Sequence, residues 1–291
     1  RRGMVYSKLR TVVLRPFDGG DGETVTLARF NIPPDGDSVE DIFKVIDVQA
    51  EVLWATRLYE YLRLWGDPWV VQLKAMLFLP DVGFHERFFY FCHLGRDDEK
   101  RVMQEDPIKF ELPKLENKCT IVSQVTVLVS NGVGIVGNVW TSPSYRRQGA
   151  IKAIMAAIKA DFKARQWKVL FLGTGYDTLA YNMYLKYGFH PVEPTSGYME
   201  YYGEDGTHDI HWNHTRRDTF ELEFFRPADG VSDVTIENLS WKHYPLAVPL
   251  FLSGSSKCVV RASPLNLMGR ISPELPFIHL IDDELGRLDR E

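Results

Sequence analysis

Between Thr120 and Phe162 the spacing of apolar residues changes period once, and that change limits the folds open to the chain more than any other feature. Thr120 to Ser130 (TIVSQVTVLVS) is rich in β-branched residues, Asn131-Gly132 is the strongest short hairpin signal, and Val133 to Trp140 stays extended until Pro143 ends it. After Arg147 the apolar residues fall instead at Ile151, Ile154, Met155, Ile158 and Phe162, the i, i+3, i+4, i+7, i+11 pattern of one helix face. A strand pair feeding straight into an amphipathic helix predicts an α/β (α+β) chain whose sheet is flanked by helices.

The remaining elements follow from the same signals. Thr11 to Phe17 reads as a strand stopped by Pro16 and the Asp18-Gly19-Gly20 turn, and Ser38 to Leu64 has helical spacing behind an N-cap at Ser38. The aromatics from Trp54 through Tyr59, Tyr61, Trp65 and Trp69 fit either core filling or an acceptor pocket. Arg87 to Leu94 (RFFYFCHL) reads as a buried strand, and the charged run from Arg96 to Lys118 as a loop. Val169 to Leu172 is a short strand, and Asp177 to Tyr187 is a helix that Gly188 is placed to stop. Thr219 to Phe225 (TFELEFF) alternates like a strand, and Val234 to Leu252 repeats a strand, turn and helix order. The resulting division is a domain over 1–205 with its core at 120–192, and an accessory region over 206–291 that has room for part of a second module.

Bulk properties narrow the function. With 45% hydrophobic and 25% charged residues the chain has the composition of a soluble globular protein. Lys+Arg number 34 against 39 Asp+Glu, a net charge of −5 that argues against a nucleic-acid partner and favours a cationic one. No apolar run approaches the ~20 residues that span a bilayer, so no membrane partner is expected. No signal peptide is expected behind Arg1-Arg2-Gly3-Met4, and Cys92, Cys119 and Cys258 form no paired framework. A reducing, cytoplasmic setting is the simpler reading.

The junction from Trp140 to Lys152 (WTSPSYRRQGAIK) carries the chemistry. A strand ends, a basic turn follows, and Gly149 opens a helix whose first N–H groups have no partner within the helix. Those donors, the positive end of the helix dipole, and Arg146, Arg147 and Lys152 make an anion cradle, and a glycine lets the backbone approach a diphosphate closely.

Arg146-Arg147-Gln148-Gly149-Ala150-Ile151 resembles the Arg/Gln-x-x-Gly-x-Gly/Ala motif with which GNAT acetyltransferases hold the diphosphate of acetyl-CoA. About 35 residues later, Ala180-Tyr181-Asn182-Met183-Tyr184-Leu185-Lys186-Tyr187-Gly188-Phe189 is similar to the family's second signature, Ala-x-x-x-Tyr-x-x-x-Gly-Phe. The resemblance implies a GNAT fold, a mixed sheet splayed at the cofactor site, and transfer of an acetyl or acyl group from acetyl-CoA to a primary amine. It implies that Arg146, Arg147, Gln148, Gly149, Ala150, Ile151 and Lys152 bind the diphosphate. Main-chain groups of Val139, Trp140 and Thr141 then hold the pantetheine and polarise the thioester, Asp177 contacts the pantetheine side, and Tyr184 is the general acid. Two positions depart from the pattern: Ile151 replaces a small residue, and Asp177 stands where Asn is common. The general base is unassigned among Asp177, Glu86, His85 and His93. The acceptor is a small-molecule or peptide amine, and a homodimer is allowed. The other reading is a GNAT-like module that binds acyl-CoA without turnover, as a sensor or structural part.

Three decoys carry less. Gly132-Val133-Gly134-Ile135-Val136-Gly137 matches G-x-G-x-x-G, but the residues after it read as strand where a dinucleotide site needs a helix. His208, His211 and His214 are spaced like loop metal ligands, yet no metal is expected and the histidines read as solvated or packed. Cys92 lies in an apolar strand and reads as an inert thiol rather than a nucleophile.

Overall fold

The Asn131-Gly132 turn organises the middle of the sheet, because both residues adopt positive φ, 51° and 80°, as a tight two-residue hairpin of right-handed twist requires. It joins β4 (Thr120–Ser130) to β5 (Val133–Thr141). The computed structural model describes residues 5–16, 19–32, 86–94, 120–204, 214–226, 236–240 and 242–252. Around the hairpin stand β1 (Val5–Leu14), β2 (Glu23–Ile32), β3 (Glu86–Leu94), β6 (Val169–Gly173), β7 (His190–Pro191) and β8 (Tyr198–Tyr201). The helices are α1 (Ala150–Ala164), α2 (Leu179–Lys186), α3 (His214–Phe224) and α4 (His243–Leu252). Strand order is β1-β2-β3-β4-β5-β6-β8-β7, and the sheet is mixed. Among the described residues no helix is long and apolar enough to cross a membrane.

Two compact units divide the chain, with boundaries inside β4, β5 and α1. The first holds β1 to β3, β4 up to Val127, β5 from Asn138 and α1 up to Ile158. Its strands β1, β2 and β3 pair antiparallel in sequence order. Phe88, Phe89, Tyr90, Phe91 and Cys92 are all buried, so β3 is covered on both faces, as its uninterrupted apolar run predicts. From α1, Ala150, Ala153, Ile154, Met155 and Ile158 are buried, and Lys152 is exposed. The helical period read from the sequence is therefore the packing period.

The second unit holds the hairpin turn, the start of β5, the end of α1, and β6 to β8 with α2 to α4. Here β5 and β6 run parallel, paired only at Val133↔Val169, Gly134↔Leu170 and Ile135↔Phe171, although β5 continues to Thr141 and β6 to Gly173. A Cβ on Gly134 would lie 2.5 Å from Leu170 Cδ2, so this glycine serves strand packing. The chain after Gly137 is strand, which removes the dinucleotide reading of the glycine series. An aromatic core follows: Phe162 meets Trp167 and Tyr201 edge-on at 6.4 and 5.0 Å, and Phe189 lies 5.3 Å from Tyr201.

One element differs in kind from its sequence reading. The strand expected at Thr219 to Phe225 is helix α3. The alternation of Phe220, Leu222 and Phe224 suggests period two, yet Leu222 is 72% exposed while Phe220 is buried. The working contacts are four apart: Phe220 with Phe224 at 5.2 Å, and Arg217 with Glu221 at 3.1 Å. At Val234 to Leu252 the helix forms as α4, whereas residues 236–240 are irregular rather than a strand. Smaller shifts occur at ends: β1 stops at Leu14, and α2 starts at Leu179 because Asp177 takes a left-handed φ of 54°. The helix expected at Ser38 to Leu64, the aromatic run at Trp54 to Trp69 and the loop at Arg96 to Lys118 lie outside the described residues, as do His85, Cys119, His208, His211 and Cys258.

Candidate functional site

In the first unit the turn between β5 and α1 is built from its strand upward. Two polar residues of β4, Ser123 and Thr126, brace the end of β5. Ser123 Oγ donates to the Trp140 carbonyl at 3.0 Å and lies 2.9 Å from Thr141 Oγ1. Asn138 Nδ2 donates to Thr126 Oγ1 at 3.1 Å from a residue held at φ 51°. The Ser142 amide then donates to the Val122 carbonyl at 2.8 Å. Thr126 and Asn138 are buried and matched, so the strand end that precedes the turn is rigid.

From Ser142 the chain makes a 3-10 turn at Pro143–Tyr145 and reaches α1 through two left-handed residues, Arg147 at φ 63° and Gly149 at φ 100°. Gln148 Nε2 donates to the Ser144 carbonyl at 2.7 Å, and Arg146 Nε donates to the Thr141 carbonyl at 3.3 Å, so two side chains close the turn on itself. Three contacts from outside the turn hold it down. The Arg15 amide donates to the Gln148 carbonyl at 3.2 Å, Arg10 Nη2 donates to the Ala153 carbonyl at 3.3 Å, and Cys92 Sγ donates to the Ala150 carbonyl at 3.9 Å. Burial pushes the Cys92 thiol up to about 12, the opposite of what a nucleophile needs.

What remains open is the front of the helix. Its first bond runs from the Ala153 amide to the Gly149 carbonyl at 3.0 Å, so the amides of Gly149, Ala150, Ile151 and Lys152 have no acceptor within α1. Among the described residues they find none elsewhere. A Cβ built on Gly149 meets no atom within 4 Å, so the space above that backbone is free. Arg146, Arg147 and Lys152 are exposed, and neither Arg147 nor Lys152 forms an ion pair with a described residue. Unpaired donors, a helix dipole, free cations and open space fit a diphosphate. Ala150 is buried, which explains a small residue there, and Ile151 is half-buried beside it. Val139, Trp140 and Thr141 are half-buried at the end of β5.

The structure thus brings Val139 to Lys152 together in one unit, while Asp177 and Tyr184 belong to the other. There Thr178 caps α2: its Oγ1 accepts from the Tyr181 amide at 3.2 Å and donates to the Gly175 carbonyl at 2.8 Å. The Asp177 carboxylate is exposed and accepts from Asn182 Nδ2 at 3.3 Å. Tyr184 is buried, with its ring edge-on to Phe189 at 5.9 Å. The braces Ser123, Thr126 and Asn138 went unread in the sequence, and their signal was polarity inside a β-branched run. Arg10 and Arg15 had no signal, because distant segments meet only in the fold.

Fold and turn together define an α/β protein with a mixed sheet and an open, glycine-led helix start at a strand-to-helix junction. Residues 79–189 match the model of the acetyltransferase (GNAT) family. Among solved structures the chain is similar to a Klebsiella pneumoniae protein provisionally described as an acyl-CoA N-acyltransferase, at 17% identity over 61% of this chain and 97% of that one, with a TM-score of 0.31. A Desulfovibrio desulfuricans protein provisionally described as a GNAT-family acetyltransferase is similar at 14% identity over 39% of this chain and 65% of that one, with a TM-score of 0.25. No curated protein matches the chain.

Proposed function

We propose that the protein transfers an acetyl group from acetyl-CoA to a primary amine by direct attack of the amine on the thioester carbonyl. The observation that carries this reading is the open start of α1, where the amides of Gly149 to Lys152 lack acceptors and Gly149 leaves its approach clear. Those amides, with Arg146, Arg147, Gln148 and Lys152, hold the diphosphate. The main chain of Val139, Trp140 and Thr141 orients the pantetheine and polarises the carbonyl, an effect typically worth about 10² to 10³ in rate per donor. A C–N bond forms, the C–S bond breaks, and Tyr184 gives its phenolic proton to the departing thiolate, a role worth roughly 10² to 10⁴. The amine proton leaves to a base that we leave unassigned, and Asp177 lines the pantetheine side. We assign the acceptor to small-molecule or peptide amines, the setting to the cytoplasm, and residues 206–291 to an accessory region.

A second reading is favoured by one observation: Tyr184 is buried and packed edge-on against Phe189. In that reading the module binds acyl-CoA and does not turn it over. One experiment separates the two. The full chain is titrated with CoA by calorimetry, then incubated with acetyl-CoA and a panel of amines while free thiol is followed. Binding with acceptor-dependent thiol release supports transfer; binding with no release on any amine supports the silent module. Absence of CoA binding at saturating concentration removes both.

A further inference from the structure

Within the second unit, helix α3 meets β8 through a buried set of charges that acyl transfer does not use. Glu200, on β8, is 1% exposed. Arg217 Nε lies 3.2 Å from Glu200 Oε1 and 3.1 Å from Glu221 Oε1, so one guanidinium faces two carboxylates. The directed hydrogen bond goes to Glu221, and Glu200 Oε1 receives none among the described residues. Tyr202 Oη donates to the other oxygen, Glu200 Oε2, at 3.1 Å. The ring of Tyr202 lies 5.8 Å from Phe220 on α3, and Arg216 Nη1 donates to the Tyr202 carbonyl at 3.2 Å. In the sheet, Glu200 stands opposite Phe171 of β6 and His190 of β7.

A carboxylate placed this way is costly when ionised. It has left water, its ion-pair partner aims its Nε–H at a second acid, and that acid repels it. Desolvation pushes the Glu200 carboxyl up to about 7; Arg217 and Tyr202 pull against this, and Glu221 adds to it. Burial likewise raises the Tyr202 phenol, which stays protonated throughout.

We propose that Glu200 is a proton-operated latch: with the carboxyl protonated, α3 lies docked on β8, and loss of that proton loosens the helix. The direction follows from linkage. The docked state holds a proton that the released state gives up at the ordinary carboxyl value of 4.5, so docking is tightest below that value and weakens as pH rises toward about 7. Above it the effect is complete.

Hydrogen exchange of the full chain, read by mass spectrometry and corrected for intrinsic rates, tests this at pH 5 and pH 8. Amides of α3 should lose on the order of 10- to 100-fold protection at pH 8, with α2 as the internal reference. Glu200→Gln should keep α3 protected at both values. Glu221→Gln, which removes the second acid that Arg217 Nε faces, should preserve protection at pH 8. Equal wild-type protection at the two values overturns the latch. So does a pH dependence that persists in Glu200→Gln, since it would belong to His190 or another group.

Discussion

Among the described residues, α1 and α2 each follow a strand through a short turn that contains a left-handed residue, and they treat their free amides in opposite ways. At α2, Thr178 turns its hydroxyl back onto the Tyr181 amide, and Asp177 at φ 54° prepares that turn. At α1 the preceding side chains point elsewhere: Gln148 closes on Ser144, Arg146 on Thr141, and Gly149 has nothing to offer. A capping residue typically contributes about 1 kcal/mol, so leaving α1 uncapped is a stability cost carried at one place. A helix end that the chain declines to satisfy for itself is one that a ligand can satisfy.

The contrast breaks most sharply at Gly149. Gly149→Glu puts a carboxylate into open space above the free amides, so CoA affinity measured by calorimetry should fall on the order of 10³-fold, through lost charge-assisted bonds and added repulsion. Affinity within a few-fold of wild type would mean that the open end of α1 is not the diphosphate site. Tyr184→Phe asks whether the capped helix also does chemistry. Thiol release should drop about 10²-fold with CoA affinity held within about two-fold, whereas full turnover would return Tyr184 to packing beside Phe189. The smallest effect belongs to the cap itself: Thr178→Ala should cost about 1 kcal/mol in urea unfolding and leave CoA affinity unchanged, and a lost affinity would erase the distinction between the two helix starts.

The part of the fold nearest the site was also the part most readable from the sequence. Asn131-Gly132, the β-branched runs and the helical spacing from Ile151 to Phe162 each act locally, so residue type alone places β4, β5 and α1. The open start of α1 was readable for the same reason, since a glycine between a basic turn and an amphipathic helix needs no distant partner. The TFELEFF segment was misread because alternation and helical spacing share Phe220 and Phe224, and burial against Tyr202 decides between them. The clamp of Arg10, Arg15 and Cys92 on the turn rests on residues 130 or so positions away or on a separate strand, beyond any local pattern.

That clamp makes Cys92 a timer for the first turn of α1. Its sulfur sits buried against the Ala150 carbonyl with its thiolate form suppressed, so an alkylating reagent meets it only when the packing around it opens. The pace of modification at that one residue therefore reports openings around the first turn of α1, without any probe being attached to it.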